Sequence, residues 1–220
     1  YHCVTGVQTC ALPILGGKGK AGGKGGDASD TQLDVSDLNI VIHAAKPNDA
    51  QGSVGVFVKS QGGDGGNGGK AGGIVSSGGK GNSAGQAGSV SITTDSKTII
   101  AVNGKYSSGI LAQSIGGAGG KSGNSIGLVG LGGQGGHGGN AGKSTVNNYA
   151  QINMTGELSN AITAQSLGGG GGNGGFSAAL VALGAKGGAG GNGDKVAVTN
   201  GGKLTTDGYR SAGILAQSIG

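Results

Sequence analysis

One phrase recurs along this chain at a fixed interval, and that interval limits the folds open to it. The tripeptide Ala-Gln-Ser begins at Ala112, Ala164 and Ala216, which are 52 residues apart in both cases. A degenerate earlier copy occupies residues 54–62. Repetition with a period of this size is typical of solenoids, in which each unit contacts only its neighbours. The sequence therefore predicts a stack of similar coils.

Two shorter segments, in which apolar and polar residues alternate, precede each copy of the recurring phrase. In the last copy they are residues 196–198 and 203–206, joined by Asn200-Gly201-Gly202. Alternation with β-branched residues, bounded by Gly and Asn, indicates strand, turn and strand. Three short strands per copy predict one coil of an all-β, parallel β-helix or β-solenoid. The predicted copies, about four in number, are residues 15–77, 78–131, 132–186 and 187–220.

Alternate side chains of the recurring phrase are expected to point into the coil. Equivalent residues of successive coils would then stack at the strand spacing of about 4.8 Å. The serines recur without a histidine at matching spacing, so we interpret them as hydrogen-bonding residues and not as nucleophiles. The predicted inward ladder comprises Ile110, Ala112, Ser114, Ile162, Ala164, Ser166, Ile214, Ala216 and Ser218.

The rest of each unit is rich in glycine, which supplies 58 of the 220 residues. The Gly-Gly-x triplets have the three-residue period of a polyproline II helix. One interpretation is an ordered out-and-back excursion whose apolar end, such as residues 126–131 or 176–183, folds against the solenoid or a neighbouring end. The other is a flexible linker, because ordering glycine is costly in entropy. The sequence leaves both open.

No catalytic, cofactor or metal site is predicted. Gly142-Lys143-Ser144 resembles the end of a phosphate-binding loop, but His137 stands where that motif requires glycine. Asp194 falls one position early for a calcium-binding nonapeptide repeat. The carboxylates are spread along the chain, and His43 and His137 are isolated, so each histidine is expected to be exposed or structural and not catalytic. We also expect no small-molecule substrate.

The charge pattern argues against nucleic acid as a partner. The formal net charge is +5, but lysines such as Lys70, Lys121 and Lys143 stand singly within glycine tracts. Aromatic residues make up 3% of the chain, whereas nucleic-acid faces cluster basic residues with stacking aromatic ones. No apolar segment approaches the length of a membrane-spanning helix.

Residues 1–14 are excluded from the fold prediction. Residues 4–14 resemble the translation of a sequencing-adapter oligonucleotide, and the segment lacks the basic and apolar regions of a signal peptide. Both cysteines, Cys3 and Cys10, lie within it. We therefore expect an artefact followed by a repeat-built segment over residues 15–220, with no disulfide or thiolate metal site.

The phrase Ser-Ala-Gly-Ile-Leu-Ala-Gln-Ser-Ile-Gly, which ends at Gly220, resembles the glycine-rich passenger repeats of large Gram-negative autotransporters. The resemblance covers almost all of residues 15–220. It implies type V secretion, a β-helical passenger at the bacterial cell surface, attached to the outer membrane or secreted, and an outer-membrane β-barrel in the full-length chain. Because the phrase breaks off at Gly220, we expect the sequence to be truncated at both ends.

A non-catalytic structural or adhesive role follows from these expectations. The partner would be a host or neighbouring cell surface, or an extracellular matrix, contacted through an extended face. Two alternatives stay open. The segment could be a spacer of a surface glycan-active enzyme whose site lies elsewhere, or packed glycine helices could form a face that binds ice or a mineral.

Overall fold

A computed structural model describes residues 17–42 and 52–220. The predicted adapter segment 1–14 lies outside the described residues. The described chain consists of strands joined by turns and extended tracts, and it contains no helix that could span a membrane. The strands are β1 (Thr31–Val35), β2 (Asn39–Ile42), β3 (Val54–Gln61), β4 (Ala71–Ser77), β5 (Val90–Thr94), β6 (Ile99–Asn103), β7 (Ser108–Ile115), β8 (Ser125–Leu131), β9 (Ser144–Asn148), β10 (Gln151–Thr155), β11 (Asn160–Leu167), β12 (Ser177–Leu183), β13 (Val196–Asn200), β14 (Leu204–Asp207) and β15 (Ile214–Ile219).

The strands form four parallel sheets, and successive strands of each sheet come from successive coils. Three sheets enclose the solenoid, in the orders β1-β5-β9-β13, β2-β6-β10-β14 and β3-β7-β11-β15. The fourth, β4-β8-β12, lies at the far end of the glycine tracts and is called the tip sheet below. The prediction of an all-β parallel solenoid is confirmed. The fourth strand of each repeat was expected only as an apolar patch.

The solenoid is held together by an interior of aliphatic side chains. Ile92, Ile100 and Ile110, one from each sheet, are fully buried in one coil. Ile152 and Ile162 continue the same columns in the next coil. Burying an aliphatic side chain contributes about 1.5–3 kcal/mol relative to exposure, so these columns account for the stacking of the coils.

Buried polar side chains close the corner between the first two sheets. Thr94 Oγ1 donates to Asn148 Oδ1 at 2.7 Å, and Asn148 Nδ2 donates to Asn200 Oδ1 at 2.7 Å. Thr94 Oγ1 also accepts the N–H groups of Tyr149 and Ala150 at 3.1 Å. Every buried side-chain polar atom of the described residues has a hydrogen-bond partner. The Thr94 hydroxyl therefore provides the acceptor for two backbone N–H groups of this corner.

The glycine tracts form a two-layered body beside the solenoid, called the glycine slab. Each outbound tract leads from the third solenoid sheet to the tip sheet, and each return tract leads back. Backbone hydrogen bonds join tracts both within and between the layers. The outbound tracts are residues 62–70, 116–124 and 168–176, and the return tracts are residues 17–30, 78–89, 132–143 and 184–195.

Hydrogen bonding in the slab follows the three-residue period of the sequence. The N–H of the first residue in each triplet donates to the next tract of the same layer, as Gly119 N does to Gly170 O at 2.8 Å. The N–H of the second residue donates to a tract of the opposite layer, as Gly120 N does to Asn82 O at 2.9 Å. The third residue, such as Lys121, is exposed. The tracts are thus ordered, which decides between the two interpretations of the glycine-rich sequence.

Glycine is required in the slab because the tracts approach each other too closely for side chains. A Cβ placed on Gly120 would overlap the carbonyl oxygen of Gly66 in the preceding coil. A Cβ on Gly119 would overlap the carbonyl oxygen of Gly136 in the other layer. Such overlaps recur at most first and second positions of the triplets, although Asn82, Ala84 and Ser122 occupy some of them.

Candidate contact surface

The structure places the sequence-predicted ladder on the third sheet of the solenoid. Ala112 pairs with Ala164, and Ala164 pairs with Ala216, in unbroken parallel register. In β7 and β11 the ladder residues Ile110, Ala112, Ser114, Ile162, Ala164 and Ser166 are fully buried. In β15 the equivalents Ile214, Ala216 and Ser218 are exposed, because no further coil covers the last strand of the sheet.

The ladder serines connect two successive return tracts to the solenoid. Ser114 Oγ donates to Gly88 O at 2.8 Å and accepts the N–H of Gly142 at 2.7 Å. Ser166 Oγ does the same with Gly142 O and Asp194 N, at 2.8 Å in both cases. Both hydroxyl groups are buried and hydrogen-bonded to backbone atoms, so the geometry gives them a structural role.

An outward amide ladder runs along the same sheet. Gln113 Nε2 donates to Gln165 Oε1 at 2.7 Å, and Gln165 Nε2 donates to Gln217 Oε1 at 2.7 Å. Lys59 occupies the equivalent position in β3. The outer face therefore presents fixed, regularly spaced polar groups. The recurrence of Gln in the phrase was the available sequence signal for this ladder.

The outer faces of the slab carry side chains that cap backbone groups of the next coil. Lys121 N donates to Asn67 Oδ1 at 2.8 Å, and Ala189 N donates to His137 Nδ1 at 3.1 Å. Each capped N–H belongs to the third residue of a triplet, the one without a backbone partner. In the same way, the N–H groups of Gln86, Ala118 and Asn192 donate to the side-chain oxygens of Asp27, Asp64 and Asn140, respectively. His137 is thus exposed and caps a backbone N–H, whereas His43 lies outside the described residues.

The tip sheet exposes apolar side chains. Its middle strand, β8, is flanked by β4 and β12, yet Ile126, Leu128 and Leu131 are 63%, 54% and 41% exposed. Leu128 aligns with Leu180 of β12, which is also exposed. Since β8 has a neighbour on both sides, this exposure does not arise from its lying at the edge of the sheet. Apolar surface repeated from coil to coil is typical of an interaction site.

The titratable side chains with shifted pKa values belong to turns and to the first return tract. A hydrogen bond from the Thr98 hydroxyl is the main cause that lowers the pKa of Asp95, and backbone N–H groups add to it. A hydrogen bond to Glu157, at 2.8 Å, raises the pKa of Lys105. The N–H of Gln86 lowers the pKa of Asp27. Each shift follows from a local partner at the surface.

These groups do not converge on a chemical centre. Within residues 17–42 and 52–220, no three His, Cys, Asp or Glu side chains are placed to hold a metal ion together. One shallow depression lies on the outside of the second sheet, lined by Ile42, Val102 and Asn153 among others, and none of its lining residues is titratable. A second depression beside the tip sheet is bordered by Lys80, Leu131 and Lys186.

The described residues thus define a parallel β-solenoid with a lateral glycine slab. No protein family and no characterised protein matches this sequence. Among solved structures, the chain is similar to the nine polyproline type II helical bundle springtail antifreeze protein from Granisotoma rainieri, whose crystal waters match the ice lattice. The identity is 20%, over 72% of this chain and 94% of that chain, with a TM-score of 0.17. A TM-score this low carries no argument about fold or function.

Proposed function

We propose that this chain is a structural and adhesive segment of a surface-exposed autotransporter passenger, presenting an extended surface for contact with cells or matrix. The resemblance of the recurring phrase to passenger repeats supports the export route, the cell-surface location and the outer-membrane barrel of the full-length chain. The repeated architecture supports the contact role, since solenoids bind through extended faces instead of pockets.

One observation carries this proposal: equivalent side chains are held in register from coil to coil on the outside as well as on the inside. The amide ladder of Gln113, Gln165 and Gln217 is the clearest example. Each added coil repeats the same groups about 4.8 Å further along the axis. Many weak contacts can then act together, because binding at linked sites raises the effective concentration.

An adhesion assay tests the contact role directly. Beads coated with the folded chain should be retained on cultured epithelial cells, bacterial cells or extracellular matrix under washing, whereas albumin-coated beads should not. Circular dichroism with a β-sheet signal would establish that the coated protein is folded. If folded chain is retained on none of these surfaces, the adhesive role is wrong.

The genomic locus tests the export route separately. Sequencing outward from the coding region should reach a C-terminal outer-membrane barrel in the same reading frame. A locus that encodes neither such a barrel nor a secretion partner would contradict the autotransporter assignment. Glycan hydrolysis by the isolated chain would instead favour an enzyme over an adhesive segment.

An ice- or mineral-binding slab is the second candidate, favoured by the order of the glycine tracts. Outward residues repeat about every 9 Å along a tract and about every 4.8 Å between coils, which is a regular lattice. Thermal hysteresis of the folded chain would support the ice-binding version. Its absence, together with retention in the bead assay, would favour adhesion.

A further inference from the structure

The charge of the molecule is segregated toward the tip. The tip region, defined as residues 17–24, 65–83, 119–137 and 171–189, contains seven lysines and no aspartate or glutamate. The chain as a whole has 15 basic and 10 acidic residues, so the remainder is net acidic. The lysines of the tip region are Lys18, Lys20, Lys24, Lys70, Lys80, Lys121 and Lys186.

The same region holds a cluster of exposed aliphatic and aromatic side chains. Besides the residues of β8, Ile74, Leu180 and Leu183 of the tip sheet are exposed, as is Phe176 at the end of its outbound tract. The adjoining depression places Leu131 between Lys80 and Lys186. An apolar group therefore has cationic neighbours one coil away on either side.

We infer that the tip region docks onto a lipid bilayer that carries anionic headgroups. Apolar side chains would enter the boundary between headgroups and acyl chains, while the flanking lysines would contact lipid phosphates. In the adjoining depression, Lys80 and Lys186 lie on either side of Gln134 in the stacked return tracts. Their ammonium groups could thus contact one phosphate above Leu131.

Charge complementarity favours this occupant over two others. A second copy that docked through its own tip region would bring like charges together, since the bordering carboxylate of Asp27 is already paired with Lys24 at 3.6 Å. An anionic polysaccharide would pair with the lysines but would leave Leu128 and Leu180 in water. A bilayer with anionic lipids satisfies both the charge and the apolar surface.

This inference rests on the proposed contact function and specifies one of its surfaces. Co-sedimentation of the full chain with extruded vesicles tests it, using phosphatidylcholine alone or with about one third phosphatidylglycerol. We expect sedimentation with the anionic vesicles, binding at least about a hundredfold weaker to the neutral ones, and release as salt is raised, because salt screens the lysines. Equal binding to both vesicle types would overturn the inference.

Paired variants locate the contact on the tip sheet. The double variant Leu128→Ser and Leu180→Ser changes exposed side chains only, so the fold should persist while binding falls. Phe57→Ser is the matched control, since Phe57 is exposed on the solenoid, and it should bind like the original chain. If the control weakens binding as much as the tip variant, the tip region is not the docking surface.

The lysines are tested in the same way. Lys80→Gln with Lys186→Gln should weaken binding to anionic vesicles by roughly tenfold or more, because each lysine near such a surface contributes about fivefold. Lys97→Gln with Lys203→Gln removes the same charge from the solenoid turns and should have a much smaller effect. Equal effects of the two pairs would assign binding to net charge alone and overturn the inference.

Two further measurements separate the other occupants. Concentration-dependent dimers in the absence of lipid, abolished by Leu128→Ser, would assign the surface to a second copy of the chain. Binding to an anionic polysaccharide that the Leu128→Ser variant retains would assign the lysines to that partner. Retention of coated beads without vesicle binding would reject the lipid surface while leaving the proposed adhesive function intact.

Discussion

The solenoid and the glycine slab run side by side through the same repeats, yet they are stabilised in different ways. The solenoid buries aliphatic columns such as the one that contains Ile100 and Ile152. The slab buries almost no side chains and relies on backbone hydrogen bonds between tracts, such as those of Gly119 and Gly120. The comparison shows that regular stacking needs one repeated interaction, and that the backbone alone can provide it when glycine permits close approach.

A smaller side chain should therefore destabilise the solenoid, whereas a larger side chain should destabilise the slab. Removing atoms from the solenoid interior leaves a cavity, whereas adding an atom to the slab interior separates its tracts. We expect the largest effects from substitutions inside the two regions and smaller ones from surface hydrogen bonds.

Ile152→Ala should have the largest effect, because it opens a cavity in the fully buried core of the solenoid. We expect the free energy of unfolding to fall by about 2–5 kcal/mol, measured by urea denaturation. Ile99→Ala is the matched control, since Ile99 is the neighbouring-strand residue whose side chain is 39% exposed, and about 1 kcal/mol or less is expected for it. Equal losses would mean that the solenoid does not depend on its interior.

Gly120→Ala should lower the free energy of unfolding by about 1–3 kcal/mol, because the added methyl group overlaps the carbonyl oxygen of Gly66. Gly170→Ala is the control. A Cβ at Gly170 meets no heavy atom within 4 Å, so the change should be neutral or stabilising by about 0.4–1 kcal/mol. If Gly120→Ala left the free energy of unfolding unchanged, the tracts of the slab would be less closely packed than their hydrogen bonds imply.

Asn67→Ala should cost about 0.5–1.5 kcal/mol by removing the cap on the N–H of Lys121. Hydrogen exchange of the Lys121 amide should become faster, while the Gly120 amide, which donates to Asn82, should change less. Asn67→Asp keeps an acceptor oxygen at this position and should restore most of the protection. Unchanged exchange in the alanine variant would contradict the capping role.

The smallest effect is expected from the Asp95 carboxylate at a solenoid turn. The hydroxyl and N–H of Thr98 and the N–H of Asp37 stabilise its ionised form, so its pKa lies below the reference value of 3.8. Its contribution to stability is present above pH 3.8 and is lost as the pH falls through the lowered pKa. The stability difference from Asp95→Asn should therefore shrink in acid and stay constant from pH 5 to 7. A difference that grows in acid would contradict this sign.

Much of the solenoid could be predicted because its signal lies in the side chains. Period-two alternation around Ile110 and Ile162 indicates strands, and repetition at 52 residues indicates which strands stack. The burial of Ser114 could also be anticipated. Its partners, Gly88 and Gly142, could not, because they belong to two different return tracts.

The slab and the tip sheet were less accessible to sequence reasoning. Glycine triplets are compatible with both a flexible linker and an ordered helix, since glycine has no side chain whose pattern could distinguish them. The apolar patch around Leu128 was expected to fold against the solenoid or a neighbouring tip. The structure pairs it with neighbouring tips as a parallel strand and leaves its side chains exposed.

By itself, the sequence determined the period of the repeat, the parallel in-register stacking and the inward positions of the ladder residues. These follow from local preferences and from identity between copies. The tertiary structure alone decided that the glycine tracts form two bonded layers and that the tip presents apolar side chains among lysines. Both features depend on backbone hydrogen bonds between tracts that are distant in sequence. No local sequence pattern specifies which of these tracts become neighbours.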